Sequence, residues 1–473
     1  MAISYFAEDF LDKEFIINNY KVKKVRDCFL VVVDHGSWVL LNNEEYSLLR
    51  LGRVKENLSL FNLLKEKGII ITKENVKDII KQYRDRYGFL NKGTSLHIVA
   101  VTQRCNQRCL YCYAEAKNLE NKKYDMDGDT GKAVVDFIFQ TPSKDVVIEF
   151  QGGEPLLNFE VIKVIIEYAK ELNKKYKKNL YFDLVSTLTL IDKGIVNYLK
   201  ENNVGICTSL DGPKEVHDKN RRYLGGNGTY EDVIRGINLV KENYGKISAL
   251  MVTTKFSFPY YKEIIDEYVK HGFMKVRLKS MSNIGYAQKV WKEIGYTGDE
   301  YLDFWKKSMD YIFKINKDDK FLIEDLSNII VKKFLNKRDV LFTDLQSPPC
   351  GAAISQMAYN YSGDIFTCDE GRLFELFKLG NVKKDKFKEV IRNEQTCGII
   401  SSSMTDVQFC DTCVFKPYCG LCPVCNYAEH GSVITKIPLS ERCKILKGMF
   451  SYLFEKMIYS DDKNILFDWT KYR

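Results

Sequence analysis

Between residues 95 and about 290, short apolar runs alternate with stretches that have helical periodicity. Six of these runs predict strands, at residues 96–102, 146–151, 180–186, 205–210, 247–254 and 274–279. The stretches between them, such as residues 159–172 and 230–240, repeat apolar residues every three or four positions, as one face of a helix does. This alternation predicts a mostly parallel sheet covered by helices, with ligands bound where the strands end.

Residues 1 to about 94 have a different pattern. Apolar runs at residues 29–33 and 38–41 flank a turn at residues 34–37 and predict a pair of strands. Helical spacing follows from Asn42 onward and again at residues 58–64. A short strand is predicted at residues 69–72 and a helix near residues 76–83. These elements indicate a small α+β module with winged-helix character.

Length and composition are those of a folded protein with two or three domains. The chain has 473 residues, of which 45% are hydrophobic and 28% are charged. The net charge of +8 arises from 71 basic and 63 acidic side chains, and no nucleic-acid recognition motif accompanies it. We therefore expect no nucleic acid partner.

The cysteine content indicates metal chemistry. The sequence has neither an apolar run of about 18 residues nor a signal-peptide pattern, which predicts a cytoplasmic protein that has no membrane partner and keeps its thiols reduced. Fourteen cysteines in such a compartment need a role other than disulfides, and we expect metal binding. Two of them, Cys28 and Cys207, lie in apolar strands and are predicted to be buried spacers.

Three cysteines follow the first predicted strand of the sheet in the spacing C-x3-C-x2-C: Cys105, Cys109 and Cys112. Three thiolates can hold three corners of a four-iron cluster and leave the fourth iron open to a small molecule with amino and carboxylate groups. The alternatives are a zinc knuckle or buried structural thiols. Zinc prefers a fourth Cys or His nearby, and no His lies between Cys112 and His217. The ring of Tyr111 is suited to stacking on a purine.

The segment from Cys105 to Cys112 resembles the cluster loop of the radical S-adenosyl-L-methionine (radical SAM) superfamily. The resemblance implies an α/β fold with a partial (β/α)6 radical SAM barrel. It also implies a 4Fe-4S cluster that binds S-adenosyl-L-methionine (SAM) and cleaves it reductively to a 5'-deoxyadenosyl radical.

A second motif follows the second predicted strand: Gly152, Gly153 and Glu154. Paired glycines let a backbone approach a ligand closely, and a carboxylate beside them can accept hydrogen bonds from an ammonium group. The motif resembles the one that binds the SAM amino group in the superfamily. A simple turn is the alternative.

Polar residues also end the third and fourth predicted strands. Ser186 ends the third, where residues 187–189 depart from the Thr-Asn-Gly of many superfamily members. Ser209 ends the fourth, and Arg221 follows it; the resemblance implies that they hold the SAM carboxylate or ribose. Helix capping and surface ion pairing are the alternatives.

The C-terminal third contains a second group of cysteines, enough to saturate two more clusters. In chain order these are Cys350, Cys368, Cys410, Cys413, Cys419, Cys422, Cys425 and Cys443. The arrangement resembles the SPASM extension of radical SAM enzymes, which carries two auxiliary 4Fe-4S clusters. A zinc ribbon is the alternative for residues 410–422, because CxxC pairs also suit zinc.

The SPASM resemblance implies two interleaved ligand sets. The outer auxiliary cluster would be held by Cys410, Cys413, Cys419 and Cys443, and the inner one by Cys350, Cys368 and Cys422. The fourth inner ligand is Cys397 or Cys425, or is absent. Asp369, which follows Cys368, is a candidate catalytic base, as in some SPASM enzymes; a hydrogen-bonding or surface carboxylate is the alternative.

These patterns predict four segments. Residues 1–94 form the winged-helix-like module, residues 95–300 the radical SAM partial barrel, residues 301–344 a helical linker and residues 345–473 the SPASM domain. Five stretches resemble maturases of His-Xaa-Ser peptide systems, at residues 95–98, 281–287, 368–371, 418–423 and 426–429. In such enzymes the N-terminal module resembles a leader-peptide recognition element; a plain scaffold is the alternative.

The resemblance implies a radical SAM oxidoreductase that modifies a ribosomally synthesised precursor peptide. Loss of a substrate hydrogen to the adenosyl radical would lead to an oxidative carbon–carbon or thioether cross-link, with electrons from a flavodoxin or ferredoxin. One alternative is an anaerobic sulfatase-maturating enzyme that forms formylglycine. The other is a zinc-bound, DNA-binding regulator without enzymatic activity.

Overall fold

The computed structural model describes residues 13–318, 320–336, 350–404, 410–434, 437 and 440–472. Residues 337–344 of the predicted linker and residues 345–349 at the start of the predicted SPASM domain lie outside the described residues. So do residues 1–12 of the predicted N-terminal module.

The N-terminal module combines a three-stranded antiparallel sheet with three helices. Its strands are β1 (Ile16–Ile17), β2 (Tyr20–Val25), β3 (Cys28–Val33), β4 (Trp38–Leu41) and β5 (Ile70–Ile71). Its helices are α1 (Asn43–Arg50), α2 (Leu58–Glu66) and α3 (Val76–Tyr87). The sheet has the order β2-β3-β4, and β1 pairs with β5.

Local sequence explains most of this module. Helix α1 begins at a capping box, in which Asn42 and Glu45 each accept a hydrogen bond from the other's backbone N–H at 2.9 Å. The apolar runs of β3 and β4 bury Val31, Val33 and Leu41 completely. Strand β2 was not predicted, because lysines interrupt its alternation.

Six parallel strands form the main sheet in the middle of the chain. In chain order they are β6 (Leu96–Thr102), β7 (Asp145–Gly152), β8 (Asn179–Ser186), β9 (Gly205–Ser209), β10 (Ser248–Thr253) and β12 (Leu278–Ser280). The predicted α/β fold is confirmed. The sixth predicted strand is split, because β11 (Lys275–Val276) leaves the main sheet to pair with β13 (Ile323–Glu324).

Helices between these strands supply the covering layer. They are α4 (Gly128–Ile138), α5 (Phe159–Tyr176), α6 (Lys193–Glu201), α7 (Lys214–Asn220), α8 (Tyr230–Asn243) and α9 (Tyr261–Lys270). Each helix buries apolar residues on one face, such as Ile162, Ile165 and Ile166 of α5, which are fully buried. Burial of this stripe against the strands fixes the layered architecture.

The C-terminal region continues the same sheet, which the sequence did not predict. Strand β14 (Gln356–Tyr359) runs parallel to β6, and β15 (Asp364–Phe366) and β16 (Lys378–Asn381) follow in antiparallel order. The full order is β12-β10-β9-β8-β7-β6-β14-β15-β16. Because β14 follows Cys350 and β15 precedes Cys368, this extension carries both cysteines to the site formed by the barrel strands.

The remaining helices lie after the barrel strands. They are α10 (Tyr286–Lys289), α11 (Trp291–Ile294), α12 (Gly298–Lys317), α13 (Asp325–Phe334), α14 (Phe387–Val390), α15 (Glu394–Ser402), α16 (Pro423–His430), α17 (Glu441–Tyr459) and α18 (Lys463–Trp469). Short 3-10 turns occur at Val54–Glu56, Gly88–Asn91, Lys122–Tyr124, Pro155–Asn158, Lys255–Tyr260, Glu370–Leu373, Glu375–Phe377 and Lys416–Tyr418. In the part of the chain that is described, no helix combines the length and apolar character needed to span a bilayer.

The N-terminal module is docked on the C-terminal region. The indole N–H of Trp38 donates to the Phe334 carbonyl at 2.8 Å, and the Tyr418 hydroxyl donates to the Gly36 carbonyl at 2.9 Å. Lys23 of β2 donates to the Ser451 hydroxyl of α17 at 2.7 Å. The module therefore adjoins the cysteine-rich region directly.

Candidate active site

The loop after β6 carries the three cysteines of the C-x3-C-x2-C motif. Backbone hydrogen bonds hold this loop, from Cys105 N–H to the Lys117 carbonyl at 3.2 Å and from Leu110 N–H to the Asn220 carbonyl at 3.0 Å. Cys105, Cys109 and Cys112 all line one cavity of about 500 Å³. The strand end therefore presents three thiols to a common space.

The donors in this loop fit an iron–sulfur cluster. Burial raises the pKa of the Cys105 thiol well above its usual range and that of Cys109 to about 12, so without metal both stay protonated. The side-chain nitrogen of Gln107, in the same loop, is buried and has no hydrogen-bond partner among the described residues. Three thiols and a free N–H donor match thiolate ligation with a hydrogen bond to a cluster sulfur.

Gly152 and Gly153 follow β7 and lie against the cysteine loop. A Cβ atom on Gly152 would come within 2.1 Å of the Thr102 carbonyl oxygen, and one on Gly153 within 2.2 Å of the Arg104 carbonyl oxygen. The Gly153 N–H donates to the Thr102 carbonyl at 2.9 Å. Both glycines line the cavity. Because they have no side chains, their backbone can pack directly against the cysteine loop.

Glu154 is completely buried, and both of its oxygens accept hydrogen bonds from this chain. Oε1 accepts from the Ser186 hydroxyl at 2.7 Å, and Oε2 accepts from the Thr187 hydroxyl at 2.6 Å and from the Thr187 N–H at 2.9 Å. The carboxylate thus fixes the end of β8, where Ser186 and Thr187 line the cavity. Its contact with a SAM ammonium group stays a prediction.

Arg221 and Tyr111 both contact the buried carboxylate of Asp211, for which the sequence predicted no role. Asp211, in the loop after β9, is fully buried and accepts a hydrogen bond from the Tyr111 hydroxyl. The Arg221 Nε lies 3.2 Å from the same Asp211 oxygen, and the guanidinium carbon lies 5.2 Å from the centre of the Tyr111 ring. Arg221 also reaches the Cys109 sulfur, at 3.8 Å. Asp211 therefore orients both predicted SAM-binding residues, and Ser209 lines the cavity beside them.

The same cavity extends to cysteines from the C-terminal region. Cys350, Cys368 and Cys422 are buried and line it, as does Asp369. The three residues assigned by resemblance to the inner auxiliary cluster thus face the space that the cysteine loop faces.

Asp369 has two partners at this end of the cavity. Arg372 donates to its Oδ1 through Nε at 3.0 Å and through a terminal nitrogen at 2.5 Å. Tyr113, the residue after Cys112, donates its hydroxyl hydrogen to Oδ2. Burial and the charge of Asp369 raise the pKa of Tyr113 well above its usual range, so the tyrosine stays a hydrogen-bond donor.

A second cavity, of about 380 Å³, contains the cysteines assigned to the outer cluster. Cys410, Cys413, Cys419 and Cys443 line it together, and Cys422 also reaches it. Val22 and Lys23 of β2 form part of its wall. The N-terminal module therefore helps to enclose the outer site, a contact that the sequence did not predict.

The two candidates for the fourth inner ligand differ in burial. Cys397 is exposed on α15, whereas Cys425 is buried on α16. Cys425 lies near Cys422 and Glu370: single donor atoms of the three residues are all within 4.8 Å of one another.

Several cavity residues were missed in the sequence. Glu149, Gln151, Cys207 and Arg277 line the cavity. Cys28 and Cys207 are both only partly buried, so the prediction that they are buried spacers was wrong. Burial and the nearby charge of Asp183 raise the pKa of Glu149 to about 7, although a hydrogen bond from Gln151 opposes the shift. The signal was period-two alternation: Glu149 and Gln151 share one face of β7, as Cys207 and Ser209 do in β9.

Comparison with known proteins identifies the class. Residues 99–268 match the family model of the radical SAM superfamily. This part of the chain is a radical SAM domain, and the protein is a radical SAM enzyme. The alternative of a zinc-bound regulator without activity is therefore wrong, and the expected cofactors, SAM and 4Fe-4S clusters, agree with the donors that line the two cavities.

Individual relatives match most of the chain. A cysteine-type anaerobic sulfatase-maturating enzyme of Clostridium perfringens is 25% identical over 375 residues, which are 77% of this chain and 97% of that protein. The structure of native anSMEcpe with bound AdoMet and Cp18Cys peptide has a TM-score of 0.67 at 21% identity, covering 80% of this chain and 99% of that one. Streptococcus suis SuiB bound to precursor peptide SuiA has a TM-score of 0.55 at 16% identity, covering 89% and 98%. At these identities the structural matches establish the fold.

Proposed function

We propose that this radical SAM enzyme modifies a ribosomally synthesised precursor peptide and forms an oxidative carbon–carbon or thioether cross-link in it. The observation that carries the proposal is the single cavity of about 500 Å³ that joins two sets of cysteines. Cys105, Cys109 and Cys112 line one part, and Cys350, Cys368 and Cys422 line another. A substrate between them would touch both the radical-generating and the electron-accepting ends.

The two sets of cysteines lie at different ends of the cavity, and each end would have its own part in the reaction. When bound, SAM and the clusters supply a 5'-deoxyadenosyl radical at one end and an acceptor for one electron at the other. Closing a cross-link removes two hydrogens from the peptide: one leaves as an atom to the adenosyl radical, and the other as a proton and an electron. The protein must therefore provide a proton acceptor beside the second set of cysteines.

Asp369 meets this requirement. It directly follows Cys368 and lines the cavity, and its carboxylate is held by Arg372 and Tyr113. The Arg372 guanidinium, with its Nε 3.0 Å from Oδ1, holds the carboxylate in position. We assign Asp369 as the base and Tyr113 and Arg372 as the residues that position it.

The SAM end of the cavity is built from strand ends. Gly152, Gly153, Ser186 and Ser209 line it, and Arg221 supplies a cation beside Cys109. The backbone of the glycines can reach the SAM amino group, while Arg221 can pair with the SAM carboxylate. Asp211 holds Arg221 and Tyr111 in place for this purpose.

A peptide substrate is supported by two observations. The SuiB structure contains a precursor peptide and the anSMEcpe structure contains a peptide, so this fold accommodates peptides in other proteins. The anSMEcpe match leaves about one fifth of this chain uncovered, a share similar to that of the N-terminal module. We assign leader-peptide recognition to that module, electron donation to a flavodoxin or ferredoxin, and the chain to the His-Xaa-Ser type of maturase.

The experiment uses the full chain, reconstituted and assayed without oxygen. Candidate precursors come from short reading frames beside the gene, and each is incubated with SAM and a reductant. Mass spectrometry should show a SAM-dependent loss of two hydrogens that maps to two linked residues. A precursor that lacks its leader segment should be modified much more slowly.

The second candidate is sulfatase maturation, which the C. perfringens relative favours because the match covers 97% of that protein. A sulfatase-derived peptide carrying the target Cys or Ser separates the two functions. Conversion of that residue to an aldehyde, with every precursor peptide left unchanged, would overturn the cross-linking proposal.

A further inference from the structure

Three cysteines are assigned to the inner auxiliary cluster, and its fourth ligand is still unassigned. The structure places a fourth thiol close to one of the three. Cys425 lies one turn into α16, which begins directly after Cys422. Its sulfur, the Cys422 sulfur and a Glu370 oxygen all lie within 4.8 Å of one another. Two buried thiols and a partly buried carboxylate that converge in this way can bind a metal ion.

Local structure explains why these two sulfurs are close. Cys422 is the N-cap of α16, and its sulfur accepts a hydrogen bond from the Cys425 N–H at 3.4 Å. Residues three apart at a helix start lie on the same side of the helix, so both side chains point the same way. A cluster bound by Cys422 therefore comes within reach of Cys425.

Two polar groups lie beside the Cys425 sulfur. A terminal nitrogen of Arg442 lies 3.9 Å from its sulfur, as does the Ser282 hydroxyl. A guanidinium stabilises the negative charge that a sulfur acquires when it binds iron. Only 4% of the Cys425 surface is exposed, which leaves bulk water little access to that corner of the cluster.

The other candidates fit less well. Cys397 is exposed on α15, whereas Cys425 is buried. Glu370 is close enough to bind, but it lies 3.7 Å from Lys279, and iron–sulfur clusters prefer thiolate to carboxylate ligands.

We propose that Cys425 is the fourth ligand of the inner auxiliary cluster and completes the set of Cys350, Cys368 and Cys422. This inference rests on the inner cluster that the proposed function includes. A cluster with four thiolates has no free iron for the peptide. Side chains that line the cavity would then hold the substrate, and the cluster would serve as electron acceptor without a bond between iron and substrate.

The test measures iron rather than product, so it is independent of whether the peptide assignment is correct. Cys105, Cys109 and Cys112 are first replaced by Ala in the full chain, which leaves the auxiliary clusters, with about eight irons. Cys425→Ala is then compared with Cys397→Ala as the matched control, by iron analysis, Mössbauer spectroscopy and electron paramagnetic resonance (EPR). We expect Cys425→Ala to lose at least one iron, or to show a three-iron EPR signal, and Cys397→Ala to change neither.

Cys425→Ser covers the case in which Cys425→Ala fails to fold. Serine keeps the size and can ligate through oxygen, so iron should be retained while the EPR signal of one cluster changes. The proposal is overturned if Cys425→Ser gives the iron content and spectra of Cys397→Ala. It is also overturned in favour of Glu370 if Glu370→Gln, but neither Cys425 variant, removes iron.

Discussion

The hydroxyl of Tyr113 donates a hydrogen bond to the carboxylate of Asp369, across 256 positions of sequence. Tyr113 follows the last cysteine of the loop after β6, and Asp369 follows an inner-set cysteine. The contact therefore joins the two ends of the cavity directly. In the proposed mechanism, this contact sets the distance between the SAM end of the cavity and the base.

The first prediction concerns Asp369. Asp369→Asn keeps the size of the side chain but removes the base, so peptide modification should fall about 100- to 10,000-fold. SAM cleavage and iron content should stay near those of the unmodified protein. Both are measured in the same anaerobic assay, by chromatography of 5'-deoxyadenosine and by iron analysis.

Glu375→Gln is the matched control, because Glu375 is 84% exposed and pairs with Lys378 at 3.6 Å. It should leave product formation unchanged. If Asp369→Asn lowers iron content and SAM cleavage as strongly as product, Asp369 is a structural ion-pair residue and not the base.

The second prediction concerns the outer cysteines. Cys413→Ala removes one of the four thiols assigned to the outer cluster, in the cavity that Lys23 also lines. The variant should lose iron and peptide product, while some uncoupled SAM cleavage survives, because Cys105, Cys109 and Cys112 line a different cavity. Iron analysis and product mass spectrometry check this. Normal peptide modification by the variant contradicts an electron-transfer role for the outer site.

The third prediction concerns the contact between the N-terminal module and the outer site. Lys23 lines that cavity, and its Nζ lies 4.9 Å from the centre of the Phe415 ring. A nearby positive charge stabilises the reduced, more negative state of a cluster. Lys23→Met should therefore shift the midpoint potential of the outer cluster to more negative values in an EPR-monitored redox titration.

Lys24→Met is the control for this shift, because Lys24 is the next residue of β2 and is exposed. It should leave the midpoint potential unchanged. Equal midpoint potentials for the Lys23 and Lys24 variants would show that the N-terminal module encloses the outer site without changing the potential of its cluster.

The fourth prediction concerns pH. His97 is buried in β6, where its Nε2 donates to the Thr94 carbonyl at 3.2 Å and its Nδ1 accepts from the Tyr359 hydroxyl at 2.9 Å. Burial lowers its pKa to about 3, against about 6.5 in an unfolded chain. Below pH 6.5 His97 binds a proton in the unfolded state but stays neutral in the folded state. Its contribution to the free energy of unfolding is therefore complete above pH 6.5 and is lost as the pH falls.

His97 should thus contribute a loss of about 1.4 kcal/mol of stability per pH unit between pH 6 and pH 4. Urea unfolding of the protein and of His97→Gln is compared at pH 7, 6 and 5. The Gln variant should be less stable at pH 7 but show a shallower decline. Parallel declines for both proteins would mean that His97 plays no part in the acid sensitivity.

The local parts of the fold and site were predictable. Residue spacing within a short segment predicts strands β6 to β10 and the cysteine loop. It also predicts the close packing of Gly152 and Gly153 against that loop. Alternation along β7 and β9 also held the signal for Glu149, Gln151 and Cys207, although it was not used.

The long-range parts were not predictable from one sequence. The junction of β14 with β6 and the contact between Tyr113 and Asp369 depend on how distant segments pack, which no local pattern records. The burial of Asp211 depends likewise on later segments, because the Val252 N–H of β10 donates to its Oδ1 and Arg221, at the end of α7, lies 3.2 Å from its Oδ2. The wall that β2 adds to the outer cavity is a further case.

The central claim is that Cys105, Cys109 and Cys112 hold a cluster with an open iron that binds SAM. The most direct measurement is EPR of the reduced, anaerobically reconstituted protein before and after SAM is added. We predict a changed signal in the unmodified protein and no change when the three cysteines are replaced by Ala, a variant that should also lose SAM cleavage but keep its auxiliary iron. An unchanged signal in the unmodified protein, or full SAM cleavage by the triple variant, would contradict the account.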